Sequence, residues 1–166
     1  MPLQSIMSYS MKRSDFSRLL VPHDGSEMSD KALDEAIRFA KPFGSKIILL
    51  HVVEDRVAPP SALLAFIKEK ATLGKAKADL MGIIRMGGEN MLGDRVEKAR
   101  SAGLEANTMI EVGDPAEVIL KTAEKEGADM IIMGSRQLKG ARRLMMLGSV
   151  ARRVAESAGR PFMLIH

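Results

Sequence analysis

Ile131–Val154 reads IIMGSRQLKGARRLMMLGSVARRV. An apolar run ends at Gly134, a basic loop follows, and Gly148-Ser149 opens a segment with helical patterning. Glycine after a strand lets the main chain come close to a neighbour or ligand. A helix start offers unpaired amides and the positive end of the helix dipole. A strand, a basic loop and a helix start in this order suit an anion. The stretch also sets the rhythm of the fold, because a strand is followed by a helix within one short connection.

The same rhythm extends in both directions. Upstream, Asp114 is an N-cap and Pro115 the first helical residue of DPAEVILKTAEKEGA, a strong helix start. Before it, Glu105–Gly113 reads as a strand, EANTMIEVG. Downstream, Ser149–Ala158 is a helix stopped by Gly159, and PFMLI is a final strand. Near the other end, RLLVP (residues 18–22) is a buried strand stopped by proline, and KIILLHVV (46–53) is a second. Between them Ala32, Leu33, Ala36, Ile37 and Ala40 recur at helical spacing; Ser26 or Ser29 caps the start and Gly44 closes it. A loop with two prolines then leads into a long helical stretch, Leu63 to Ala102. A loose or kinked middle is expected between Met81 and Gly93. There Gly82, Gly87, Gly88 and Gly93 each lower helix propensity by about 1 kcal/mol relative to alanine.

Strands joined by helices run parallel with right-handed crossovers. The prediction is an α/β fold: a doubly wound, five-stranded parallel sheet with helices on both faces. Residues 16–166 form one domain, and residues 1–15 a flexible extension. Such sheets bind ligands beyond the carboxyl ends of their strands, where the winding direction switches.

Composition narrows the function. The 166 residues include 25 Lys and Arg against 21 acids, a net charge of +4. That excess is too mild to indicate a nucleic-acid protein, and one Tyr, five Phe and no Trp argue against base stacking. The absence of cysteine excludes disulfides, thiolate metal sites and cysteine nucleophiles, and makes a reducing cytoplasm the simplest home. Neither a signal peptide nor a membrane span is expected. Thirteen methionines suggest malleable packing around the long helix.

The carboxyl-end rule selects VPHDGS (21–26), HVV (51–53), MGSR (133–136) and Gly148-Ser149. Asp24 accepts from a ribose hydroxyl or caps the first helix. Gly134 permits close backbone approach. Gly148-Ser149 offers amides and a hydroxyl. Lys139, Arg142, Arg143, Arg152 and Arg153 either neutralise phosphate or form a solvated face, and for Arg152 and Arg153 the solvated face is the expectation.

Together, LLVPHDGSEMSDKALDEAIRFA, IILLHVV, VGDPAEVILKTAEKEGADMIIMGSR and LGSVARRVAESAGRPFMLI resemble the universal stress protein family over residues 17–165. The resemblance implies an adenine nucleotide alpha hydrolase-like sheet of strand order 3-2-1-4-5. It implies a base against Pro22, His23, Val52 and Met133, and a ribose on Asp24. Phosphates would lie at Gly134, Arg136, Gly148, Ser149 and the amide of Val150, with Mg2+ bridging their oxygens. The family's ATP-binding branch carries glycine, two residues, glycine, nine residues, then glycine and Ser or Thr. Here Gln137 replaces the middle glycine, and ten residues separate it from Gly148. Gln137, Lys139, Gly140 and Arg142 are therefore the variant phosphate loop. The resemblance also implies a homodimer through the last strand, Pro161 to Ile165.

No catalytic set is legible. His23 and Asp24 are adjacent on an extended segment and point apart. His51 lies in an apolar strand as a core or rim histidine. GxxxxGK[ST], GxGxxG, HxGH and SGGxDS motifs are absent, and no metal site is expected. The expectation is a stress-response regulatory protein that binds ATP, or another adenine nucleotide, with slow or no hydrolysis and signals to a protein partner through loop conformation. The alternative is a protein-interaction module that binds no nucleotide and uses the same fold and dimer edge.

Overall fold

In the computed structural model, residues 16–54, 70–135 and 148–166 are described. Among the described residues, five strands and four helices alternate. They are β1 (Arg18–Pro22), α1 (Glu27–Phe43), β2 (Lys46–Val53), α2 (Lys70–Ser101), β3 (Ala106–Val112), α3 (Pro115–Lys125), β4 (Met130–Gly134), α4 (Ser149–Ser157) and β5 (Phe162–Ile165). All strand pairs are parallel, in the order β3-β2-β1-β4-β5. The winding reverses between β1 and β4, so the crevice beyond their carboxyl ends is the switch point.

The near-continuous apolar runs follow from burial on both faces. Leu19, Val21, Ile47, Leu49 and Ile132 face α1 and α2. Their neighbours Leu20, Ile48, Leu50, Ile131 and Met133 face α3 and α4. A strand's side chains alternate across the sheet, so a strand with cores on both sides has no polar face to show.

Three helix ends match the sequence signals. Ser26 caps α1 by accepting from the Ser29 amide, at 3.2 Å. Gly44 closes α1 in the left-handed region at φ 68°, and its amide donates to Ala40 O. Asp114 caps α3 through the Glu117 amide at 3.0 Å, with Pro115 first in the helix.

The long helix departs from expectation. Residues 63–69 lie outside those described, but from Lys70 to Ser101 α2 is unbroken through all its glycines. At about 1.5 Å per residue it extends about 48 Å, well beyond the strands it packs on. Its C-terminal half is anchored by Leu92, Val96 and Ala99 in the core. Gly88 explains part of the glycine content. A Cβ there would lie 3.0 Å from Ile110 Cγ1 and 3.3 Å from His51 Cδ2, so this glycine lets the helix sit tightly on β2 and β3. Packing energy thus overrides local propensity. The methionines do not all pack: Met91 lies against the core, whereas Met86 is 63% exposed.

A Cβ at Gly82 meets nothing within 4 Å. Gly82→Ala is therefore expected to stabilise the protein by roughly 0.5–1 kcal/mol, the helix-propensity difference. At Gly88 the same gain is offset by the contact with Ile110. Urea denaturation of the two variants checks this: Gly88→Ala stabilising as much as Gly82→Ala would contradict the close approach.

Candidate functional site

A cavity of about 590 Å³ opens at the switch point. That volume is in the range of small-molecule sites, about 300–1,000 Å³. Its walls include Pro22, His23 and Asp24 from the end of β1, Val52 from β2, Met133 and Gly134 from β4, and Gly148, Ser149 and Val150 at the start of α4. These nine are sequence-expected site residues, contributed by four separate pieces of chain. Arg136, Gln137, Lys139, Gly140 and Arg142 lie outside the described residues, as does Arg143.

Asp24 has a structural task beside any ligand. Its Oδ1 accepts from the Ser26 amide at 3.0 Å and from the Ser29 hydroxyl at 2.6 Å. Ser29 Oγ also receives the Asp24 amide, at 3.3 Å, and lies 3.1 Å from Ser26 Oγ. The turn from strand to helix is therefore tied on itself. The helix cap is Ser26, with Asp24 supporting it. Oδ2 takes none of these bonds. Burial opposes ionisation of Asp24, but hydrogen bonds from Ser26 and Ser29 outweigh it and hold its carboxyl below the usual range. Asp24 is consequently an anion at neutral pH.

His23 is 2% exposed. Its main chain continues the sheet, with N–H donating to Leu50 O at 2.8 Å. Its carbonyl accepts from His51 Nδ1 at 2.9 Å; a carbonyl only accepts, so His51 Nδ1 carries a proton. His51 is thus a half-buried rim residue that braces β1. The His23 ring is similarly defined. Gly25 N–H donates to its Nδ1 at 3.1 Å, so the proton is on Nε2, which donates to Asp30 Oδ1 at 3.1 Å. Arg95 Nε donates to the same oxygen at 2.7 Å, and Arg95 Nη2 reaches Oδ2 at 3.2 Å. Arg95 Nε also lies 3.2 Å from His23 Nε2. Both groups are donors, so that approach is a contact held by the shared carboxylate.

Burial, and then the Arg95 charge, lower the His23 pKa below 6.5, and Asp30 only partly opposes this. The ring is neutral at physiological pH. Asp30 itself is pushed upward by burial, but Arg95 and His23 bring its carboxyl below the usual range.

Gly134 faces α1. A Cβ there would stand 2.5 Å from Met28 O, 2.6 Å from Met28 C and 3.0 Å from Ser29 N. The close approach that glycine allows is therefore between β4 and the first turn of α1. Arg153, expected on a solvated face, donates to Asp114 Oδ2 at 2.8 Å across that face.

Across the cavity from the β1 turn, α4 starts differently from α1 and α3. Its N-cap is Gly148, with no side-chain cap hydrogen bond. Residues from Gly148 to Ala151 line the cavity. On the described walls the charged side chains are Asp24, Glu27 and Glu54, all acidic. Sequence reasoning passed over Glu54, which directly follows β2, and the Ser29 hydroxyl bond to Asp24. The latter's only sequence trace was the Asp-x-x-x-x-Ser spacing. Among the described residues no group of three His, Cys, Asp or Glu is placed to hold a metal ion, and no helix is long and apolar enough to cross a membrane.

Comparison with known proteins places this geometry in context. The model of the universal stress protein family matches residues 15–166. Universal stress protein YxiE of Bacillus subtilis is 33% identical over 152 residues, covering 90% of this chain and 99% of that protein. The solved structure of MJ0577, a universal stress protein of Methanocaldococcus jannaschii, is 28% identical with a TM-score of 0.72, covering 90% of this chain and 95% of that one. A universal stress protein solved in complex with cAMP shares the fold at a TM-score of 0.61 and 22% identity, over 91% of this chain and 97% of that one.

Proposed function

Because the chain belongs to the universal stress protein family, we propose that it is a regulatory protein that binds an adenine nucleotide, ATP in the first instance, in the switch-point cavity. One observation carries this reading. A cavity of suitable size has the anionic turn of Asp24 on one wall and the helix start of Gly148–Val150, without a side-chain cap, on the other. Ribose hydroxyls donate to a carboxylate, and phosphate oxygens accept from helix-start amides. The two ends of a nucleotide thus match the two walls. Pro22, His23, Val52 and Met133 then contact the base between them. The structure solved with cAMP supports the ligand class, since that protein's ligand is an adenine nucleotide.

The acidic charges on the described walls require compensation before a triphosphate enters. Four cationic residues of the intervening sequence, Arg136, Lys139, Arg142 and Arg143, are suited to it. So is Mg2+, which keeps waters and binds mainly through phosphate oxygens. Turnover is slow in this reading, because His23, the imidazole on the cavity wall, has both ring nitrogens committed. Signalling passes through the loop to a protein partner. Dimerisation uses β5, a strand of four apolar residues at the sheet edge.

The test is mass spectrometry of what is released on denaturing the purified protein, followed by titration with ATP and magnesium. Released adenine nucleotide, or saturable binding at micromolar to millimolar ATP, is the expected result. No release and no binding at millimolar ATP would leave the second reading, an interaction module that binds no nucleotide. The exposed Ile83 and Met86 on α2, at 69% and 63%, favour that module as the surface it would use.

A further inference from the structure

The His23 ring ties the turn after β1 and the first turns of α1 to Arg95 of α2, 72 residues further along the chain. Gly25 of the turn holds Nδ1, Asp30 of α1 holds Nε2, and Arg95 of α2 holds Asp30 with two nitrogens. Arg95 Nη1 donates in turn to Met91 O at 2.5 Å, fixing the guanidinium against its own helix. Met91 also lies beside the turn, where its Cγ and Sδ would be 3.7 Å from a Cβ at Gly25. Gly25 sits at φ 84°, a conformation open to glycine and strained for other residues. The turn that places Asp24 is therefore held by α2, although α2 is not among the cavity walls.

We propose that Arg95 is a positioning residue for the ligand cavity. It acts through Asp30 and the neutral ring of His23 on the Asp24–Ser26 turn, so that ligand affinity is coupled to the protonation of His23. The proposal rests on the adenine-nucleotide reading above. A second proton on the ring goes to Nδ1, the atom that accepts the Gly25 amide. Two donors then face each other, the Gly25 bond is lost, and the turn is released on the side that carries Asp24. The charged and titratable groups around the ring are Asp30 of α1, Arg95 of α2, Asp24 of the turn and His51 of β2, which bonds the His23 carbonyl. Burial and Arg95 disfavour the second proton, whereas Asp30 and Asp24 favour it. Because the folded pKa is below 6.5, the contribution of the neutral ring is complete above that value. It is lost as pH falls through the lowered folded pKa.

The decisive variants are Arg95→Met, Arg95→Lys and His23→Asn. Asparagine keeps an acceptor toward Gly25 N–H and cannot take a proton. Titration of ATP with magnesium at about pH 7.5 and about pH 5 should show wild-type affinity falling about tenfold more than that of His23→Asn, the order of one lost hydrogen bond. The His23→Asn protein also corrects for protonation of the nucleotide itself. Arg95→Met should weaken binding about tenfold near neutral pH, and Arg95→Lys should restore most of it. A second readout needs no nucleotide. The Gly25 amide and His23 ring resonances, followed by NMR against pH, should move together, and in Arg95→Met they should move at higher pH. A Gly25 amide that ignores His23 protonation, or an Arg95→Met protein with wild-type His23 titration, overturns the proposal. ATP failing to bind wild type at any pH overturns the nucleotide reading instead, and the NMR result then decides alone whether Arg95 sets the ring.

Discussion

Gly134→Ala is expected to destabilise the protein by roughly 3 kcal/mol or more, the upper end of overpacking costs. The added methyl would be placed 2.5 Å from the carbonyl oxygen of Met28 and 3.0 Å from the Ser29 amide nitrogen. These are main-chain atoms in the first turn of α1, and no rotamer change relieves the clash. Either β4 or the helix has to move, and both carry core residues: Ile132 on one, Ala32 and Leu33 on the other. For a domain of this length a loss of that size lowers Tm by roughly 6–12 °C. Chemical denaturation without ligand is the measurement. A loss below about 1 kcal/mol would show that the strand and helix are not in such close contact. The same substitution should also reduce ligand affinity, because Ser29 holds Asp24 in place.

Asp24→Ala is expected to weaken adenine-nucleotide binding about a hundredfold, consistent with losing a hydrogen bond to a charged group plus the order of the turn. Asp24→Asn separates the two contributions. Its amide oxygen can still accept from the Ser26 amide and the Ser29 hydroxyl, so the turn survives. The other position becomes a donor and no longer accepts the proton of a ribose hydroxyl. Binding by Asp24→Asn should fall about tenfold with folding stability nearly unchanged, whereas Asp24→Ala should also lose about 1 kcal/mol of stability. Calorimetric titration and urea denaturation read the two quantities separately. Unchanged affinity in Asp24→Ala would remove the ribose role and leave Asp24 as a turn residue alone. The acid limb follows from the same bonds. Because the Asp24 carboxyl is held below its usual range, its stabilising contribution is present above that range and is lost as pH falls through its lowered pKa.

Much of the site was legible because it depends on chain order. The nine described wall residues expected from sequence all lie at strand ends or a helix start, and the crossover rule alone brings those points to one crevice. The long helix was less legible. Gly82, Gly87, Gly88 and Gly93 signal a break in a local reading, and α2 is nonetheless continuous. The side chains that hold it, Leu92, Val96 and Ala99, meet partners on α1, β2 and β3 that no local window contains. A packing role of Gly134 was not legible either: besides lining the cavity, it admits the first turn of α1.

By itself the amino-acid order determined the alternation of strands and helices, the parallel sheet, the caps at Ser26 and Asp114, and the gathering of strand ends at one cleft. Each follows from periodicity, caps and connection length, which are properties of neighbouring residues. Only the tertiary structure decided that Arg95 grips Asp30, that His23 is buried and neutral, and that Gly134 lies against Met28. Those outcomes depend on which side chains meet after the chain has folded back. Distance, burial and shared hydrogen bonds between remote residues are set by packing, and no local pattern encodes them.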